Sequence, residues 1–304
     1  HRKRASQLRA QPEGAYRTLM DTGRKIFRGR TYDAERSLYA LRDAEVTDCT
    51  FAGPADGESV LKECRRIDVK GCRFSLRYPL WHAKDFSLTS SAMDGLTRAA
   101  LWYDERGRIE DCDLSGIKAL RECSDISLKN CRIASPEFGW KCDRIELRDS
   151  EVTAEYLFLD SKNINISGIK MKGKYSFQYT ENVTIEDSDL DTKDAFWHSK
   201  NVTVRNCRVA GEYPAWFSEG LTLINCDISG TQPFCYCRDL TLINCRMSGT
   251  DLAFEYSDVN ADIVGSVDSI KNPRSGMIFL DGVGEIITED PVEPCNGKVV
   301  LRKR

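Results

Sequence analysis

The stretch Lys200–Cys245 reads KNVTVRNCRVAGEYPAWFSEGLTLINCDISGTQPFCYCRDLTLINC. Within it Arg-Asn-Cys, Ile-Asn-Cys and Ile-Asn-Cys end at Cys207, Cys226 and Cys245, 19 residues apart. Working outward from Cys112 in steps of 19 gives Cys131, Ser150, Ile169, Ser188, Cys207, Cys226, Cys245 and Val264, with no insertion. Upstream the same slot holds Cys49, Cys72 and Ser91 at irregular spacing, so insertions are confined to that end. Self-similarity at such a period is the mark of a solenoid, in which each repeat buries its apolar face only by stacking on its neighbours.

Five and three positions before the slot sit apolar pairs such as Ile126 and Leu128, Val183 and Ile185, Leu221 and Leu223. Two positions after it come Leu114, Ile133, Val152, Met171, Leu190, Val209, Ile228 and Met247. Alternating apolar positions in short runs are strands. Between them recur Asn, Asp and Gly: Asn130, Asn206, Asn225 and Asn244 just before the slot, Asn163, Asn182 and Asn201 six before it, Gly116, Gly211, Gly230 and Gly249 four after it. These residues tolerate the left-handed backbone of tight bends, and stacked Asn side chains can bond along a ladder. No Leu-x-x-Leu-x-Leu signature or helical segment is present. The reading is an all-β chain folded as a single-stranded right-handed parallel β-helix of 19-residue coils. Eleven or twelve coils at about 4.8 Å each would give a rod of roughly 55 Å.

One column fixes the register. Directly after the slot come Asp113, Arg132, Glu151, Lys170, Asp189, Arg208, Asp227 and Arg246, alternating in sign at every step. Neighbouring coils would then always meet an opposite charge, and a slipped register would lose that match. The column is a solvated face with no function assigned to it.

Composition narrows the rest. The 304 residues carry 44 Lys and Arg against 47 Asp and Glu, so no basic excess points to nucleic acid. No apolar run is long enough for a membrane-spanning helix. His1-Arg2-Lys3-Arg4 has no apolar segment behind it and is not an intact signal peptide. Seven of the 13 cysteines share the reference slot, and Cys64, Cys123, Cys142 and Cys237 share a slot eight positions earlier, where other coils carry Ser, Thr or Ala. They read as small inward side chains. So many free thiols favour a reducing compartment, the cytoplasm. No paired Cys-x-x-Cys or Cys-His cluster suggests a metal, and no motif suggests a cofactor.

All five tryptophans, Trp81, Trp102, Trp140, Trp197 and Trp216, fall ten positions before the slot, with Cys235 and Phe254 continuing the column. The next column is His82, Tyr103, Glu122, Lys141, Asp160, Tyr179, His198, Phe217, Tyr236 and Glu255. The preceding one, with Leu80, Leu101, Leu120, Phe158, Phe177, Phe196 and Phe234, is apolar and lies three positions from the small Cys/Ser column. That spacing puts those two sets inside and the tryptophan and mixed columns outside, at a corner. Either the rings are exposed as a binding stripe, or they fold back over the corner and pack on one another. An exposed stripe suits an oligosaccharide or a protein partner; its candidate ligand-binding residues are Trp81, His82, Trp102, Tyr103, Trp140, Tyr179, Trp197, His198, Trp216 and Tyr236.

Glu122, Lys141 and Asp160 lie on consecutive coils of the mixed column and are the candidate catalytic set. Two carboxylates two coils apart match the spacing of an inverting glycosidase, although Lys141 between them would hold both ionised. His82 and His198 stand six coils apart and cannot act together. No phosphate loop, zinc motif or serine elbow occurs.

Several stretches, among them Tyr78-Pro79-Leu80-Trp81, Ala195-Phe196-Trp197, Leu252-Ala253-Phe254-Glu255-Tyr256-Ser257 and Asp268-Ser269-Ile270-Lys271-Asn272-Pro273, resemble a bacterial family known as domain of unknown function 3737. The resemblance spans roughly residues 26 to 290 and implies a pectate-lyase-like β-helix, with no activity attached. The Asn-Thr-Asp, Asp-Asp, Gly-His-Gly and Arg-Ile-Lys strings of polygalacturonases are absent.

The period fails past Val264, so the expected organisation is an N-terminal tail or cap at 1–25, the β-helix at 26–267 and a capping segment at 268–304. Within the cap, Met277 to Leu280, Gly284 to Thr288 and Lys298 to Leu301 read as strands. Function reduces to three readings: a carbohydrate-binding or interaction scaffold, a polysaccharide lyase or glycoside hydrolase, and a self-association module.

Overall fold

A computed structural model describes residues 23–53 and 59–303; most of the expected tail lies outside them. The chain winds as a right-handed parallel β-helix. Its principal sheet stacks fifteen strands, from Lys25–Arg28 through Arg42–Thr47, Lys162–Ser167 and Glu219–Ile224 to Lys298–Leu301, giving about 14 turns. That exceeds the eleven or twelve expected, because winding continues where the period fails. Ala261 pairs with Ile278 and Ile278 with Val299, steps of 17 and 21 residues, so residues 277–301 add rungs to the same sheet. No helix among the described residues is long and apolar enough to cross a membrane.

The second sheet, from Thr31–Tyr32 to the end of Leu240–Ser248, carries the alternating charges in register. Asp113 faces Arg132, Arg132 faces Glu151, Glu151 faces Lys170, and so on to Arg246. At the bends the Asn ladders form: Asn201 donates to Asn182 at 2.6 Å, and Asn244 to Asn225 at 2.8 Å.

Inside, the two cysteine slots do more than accept small volume. At several slots the backbone N–H turns inward and needs an acceptor, and the side chain of the next coil supplies it. Cys131 N–H donates to Ser150 Oγ at 3.1 Å, Cys142 N–H to Ser161 Oγ at 2.9 Å, and Cys237 N–H to Ser257 Oγ at 2.9 Å. The slot side chain then donates to a carbonyl, as Ser161 does to Gly139 at 2.7 Å and Cys226 to Val204 at 3.4 Å. Cys, Ser and Thr meet this two-sided demand, which an unpaired buried N–H makes costly to ignore. All 13 cysteines are free and twelve are buried.

Large residues are balanced coil by coil. Phe86 fills the interior beside Gly107, whose added Cβ would lie 2.3 Å from the Phe86 ring. One slot carries an acid: Asp104 is fully buried between Ala83 and Cys123. One oxygen accepts the Ala83 N–H at 2.8 Å and the other has no partner. Burial pushes its carboxyl well above the usual carboxylate range.

Two outcomes follow. An acid with a raised folded-state value binds its proton more tightly than the unfolded chain does. Asp104 therefore subtracts no stability at acid pH and subtracts progressively more as pH rises from the ordinary carboxylate value to the raised one. Asp104→Ser, the residue other coils use there, should add roughly 1 to 3 kcal/mol at neutral pH and flatten that decline, read from urea midpoints across pH. Gly107→Val should cost about 1 to 3 kcal/mol, recovered in large part by adding Phe86→Leu.

Candidate functional site

The corner between the second and principal sheets is built by an unusual backbone. In the coil from Tyr175, the φ angles of Tyr175, Phe177 and Tyr179 are 59°, 62° and 56°; Asp194, Phe196 and His198 show 51°, 65° and 55°. Three left-handed residues in alternation recur from Tyr156 to Tyr256, none of them glycine. Left-handed backbone costs a bulky residue of order 1 kcal/mol, and here each N–H is paired with an adjacent coil. Tyr175 N–H donates to Lys193 O at 2.8 Å, Phe177 to Leu157 O at 2.8 Å and Tyr179 to Trp197 O at 2.9 Å. The middle residue of each trio is buried; the outer two (Tyr256 excepted) and, where it is Trp, the residue before the last are at least partly exposed. Three outer columns result, and the one beginning Tyr78, with Tyr156, Tyr175, Asp194 and Tyr213, was missed in the sequence. Its signal was available as Tyr recurring three positions before the tryptophan column.

The tryptophans are half-buried, which answers the question left open by the sequence. Trp197 and Trp216 stack at 5.1 Å and 2°, and their indole N–H groups donate to the carbonyls of Tyr213 at 2.7 Å and Gln232 at 2.8 Å. Trp81 meets Trp102 edge-on at 5.2 Å. Between Trp102 and Trp140 the column holds Arg121, its guanidinium carbon 5.5 and 5.4 Å from the two rings. The column does not continue to Phe254. One extra residue between Gly249 and Phe254 shifts the frame, so Phe254 stacks inside on Phe234 and Tyr256, not Glu255, meets Tyr236.

The mixed column is the more exposed one, yet its rings cover each other. Tyr179, His198, Phe217 and Tyr236 stack at 4.8, 4.9 and 4.9 Å, and Tyr256 extends the ladder at 5.7 Å. His82 and Tyr103 form a second, separate stack at 4.9 Å. A ring inside a ladder offers solvent its edge only.

The ladder breaks where Glu122, Lys141 and Asp160 replace rings. Beside them Leu159 and Gln178 stand between Trp140 and Trp197 in the tryptophan column. At this break Tyr179, 54% exposed, has His198 on one face and no ring on the other among the described residues; Trp197 stacks on Trp216, and the buried Gln178 is its column neighbour on the other side. Glu122 Oε2 accepts the Trp102 indole N–H at 2.8 Å. That bond, with the Tyr103 hydroxyl, Arg121 and Lys141, holds its carboxyl below the usual carboxylate range. Glu122 is thus an anion and acceptor, unsuited to donate a proton. Among the described residues no group of three or more His, Cys, Asp and Glu is placed to hold a metal.

The family model described as Protein of unknown function (DUF3737) matches residues 25–300. The chain belongs to this family. No curated protein matches it in sequence. Among solved structures it is similar to the Azotobacter vinelandii mannuronan C-5 epimerase AlgE6 A-module, with 13% identity over 90% of this chain and 87% of the other, TM-score 0.35. It is similar also to the tailspike protein of E. coli bacteriophage HK620 in complex with pentasaccharide, at 9% identity, 90% and 72% coverage and TM-score 0.45. A third is the exopolygalacturonase of Thermotoga maritima, at 7%, 92%, 82% and 0.36.

The packing separates two kinds of aromatic residue. Trp216→Ala should cost about 2 kcal/mol or more, since ring and N–H are both engaged. Tyr179→Ala should cost less than about 1 kcal/mol. Urea unfolding of the two variants checks the contrast.

Proposed function

We propose that the chain binds a carbohydrate along the aromatic corner, at the break between Trp140 and Trp197. The observation that carries this reading is the Tyr179 ring, exposed and stacked on one face only, at the end of the ladder beside Lys141 and Asp160. A sugar ring has an apolar face and hydroxyl edges. A half-buried apolar platform with a few polar groups at its margin meets both requirements. The remaining rings of the corner hold that platform rigid rather than contact ligand. The rigid backing matters, because a preformed site loses little freedom on binding.

Calorimetric titration of the chain with neutral and uronic oligosaccharides tests this. At least one is expected to bind, with affinity falling about tenfold or more in Tyr179→Ala and in Trp197→Ala. Phe279→Ala, an exposed aromatic on the last rungs away from the corner, should leave it unchanged. Absence of binding across the panel, or binding indifferent to both corner substitutions, overturns the reading.

A further inference from the structure

Along the second sheet, every charged residue that meets a charged partner in register meets the opposite sign, with one exception among the described residues: Lys174 faces Lys193. Like charges directly opposite one another destabilise a sheet, and departures from a local rule are expected at functional or strained positions. The two lysines end their strands at the start of the corner, on the same two coils as Tyr179 and Trp197. Both ammonium groups converge on one ring, with Lys174 Nζ 5.5 Å and Lys193 Nζ 5.6 Å from the centre of Tyr175.

We propose that Lys174 and Lys193 form an anion subsite beside the sugar platform, which takes the carboxylate or sulfate of an acidic saccharide. The proposal rests on the carbohydrate reading above and names the class of sugar. Lys174 has Glu155 at 3.5 Å as its counter-charge. Lys193 makes no ion pair among the described residues. Glu212, the acid on the next coil, lies near the Tyr213 hydroxyl and raises its pKa. An anion seated between the two ammonium groups would join them and offset their repulsion.

Asp194 would oppose such a ligand if it were ionised. One of its oxygens is buried and unpartnered. Burial raises its carboxyl above the ordinary range, Lys193 works against that shift and Glu212 adds to it. With its proton on, the group becomes a donor to an anion instead of a repelling charge. The charged and titratable groups around it are Lys174, Lys193, Glu155, Glu212, Tyr175 and Tyr213, so affinity for an anion should fall as pH rises through the Asp194 titration.

The test compares trigalacturonate, its carboxyl-reduced neutral counterpart, a sulfated counterpart and sodium sulfate alone, each titrated into the full chain. The expected result is binding of an acidic trisaccharide about tenfold or more tighter than the neutral one. That margin should be lost in Lys193→Ala and kept in Lys193→Arg, with the decline at rising pH flattened in Asp194→Asn. The carboxylate and sulfate arms show which anion the subsite takes. Equal affinity for acidic and neutral sugars overturns the subsite and leaves the platform standing, and so does an acidic preference that survives Lys193→Ala. Sodium sulfate binding as tightly as the sugars overturns the saccharide assignment. No binding by any trisaccharide overturns subsite and platform together.

Discussion

Backbone hydrogen bonds between successive coils hold each residue opposite its counterpart one turn away, about 4.8 Å along the axis, and almost everything else follows from this. Whatever stands at one position must tolerate a copy of itself, or its complement, directly above and below. Apolar residues meet this demand by stacking, as Phe177 does on Phe196 at 5.0 Å. Asn meets it by donating to Asn, charges by alternating, and the cysteine slots by passing a hydrogen bond from one coil to the next. Positions that fail it are few. Asp104 leaves a buried oxygen without a partner, and Lys174 faces Lys193.

The same constraint explains what the sequence made legible. A fixed period is visible because each coil must return to the same place, and the slot at Cys112, the charge column at Asp113 and the Asn columns each gave the register that the strands adopt. The corner was less legible. Its left-handed residues are Tyr, Phe, Asp and His rather than Gly, held by inter-coil bonds that no local pattern reports. The single extra residue before Phe254 carried the 19-residue count one place out of frame, which misplaced Phe254 and Glu255. Beyond Val264 the coil length varies, so winding continued where counting stopped.

For the site, spacing alone identified the aromatic columns and the Glu122, Lys141 and Asp160 interruption, but not what stacking does to them. Rings repeated at the coil spacing use their faces on each other, so a long aromatic stripe is mostly wall. The interruption is where faces come free. Arg121 between two indoles and the tyrosines of the third column depend on side-chain direction, which spacing does not give. The low-identity structural neighbours share the fold and add nothing about the site.

The most direct measurement is aromatic NMR of the chain carrying labelled tyrosine and tryptophan, with a mixture of oligosaccharides added. Shifts should concentrate at Trp140, Tyr179 and Trp197, with Tyr236 inside the ladder and the buried Tyr256 at its end nearly unmoved. Shifts strongest along the ladder interior, or no shift at any corner ring, would contradict the proposed site.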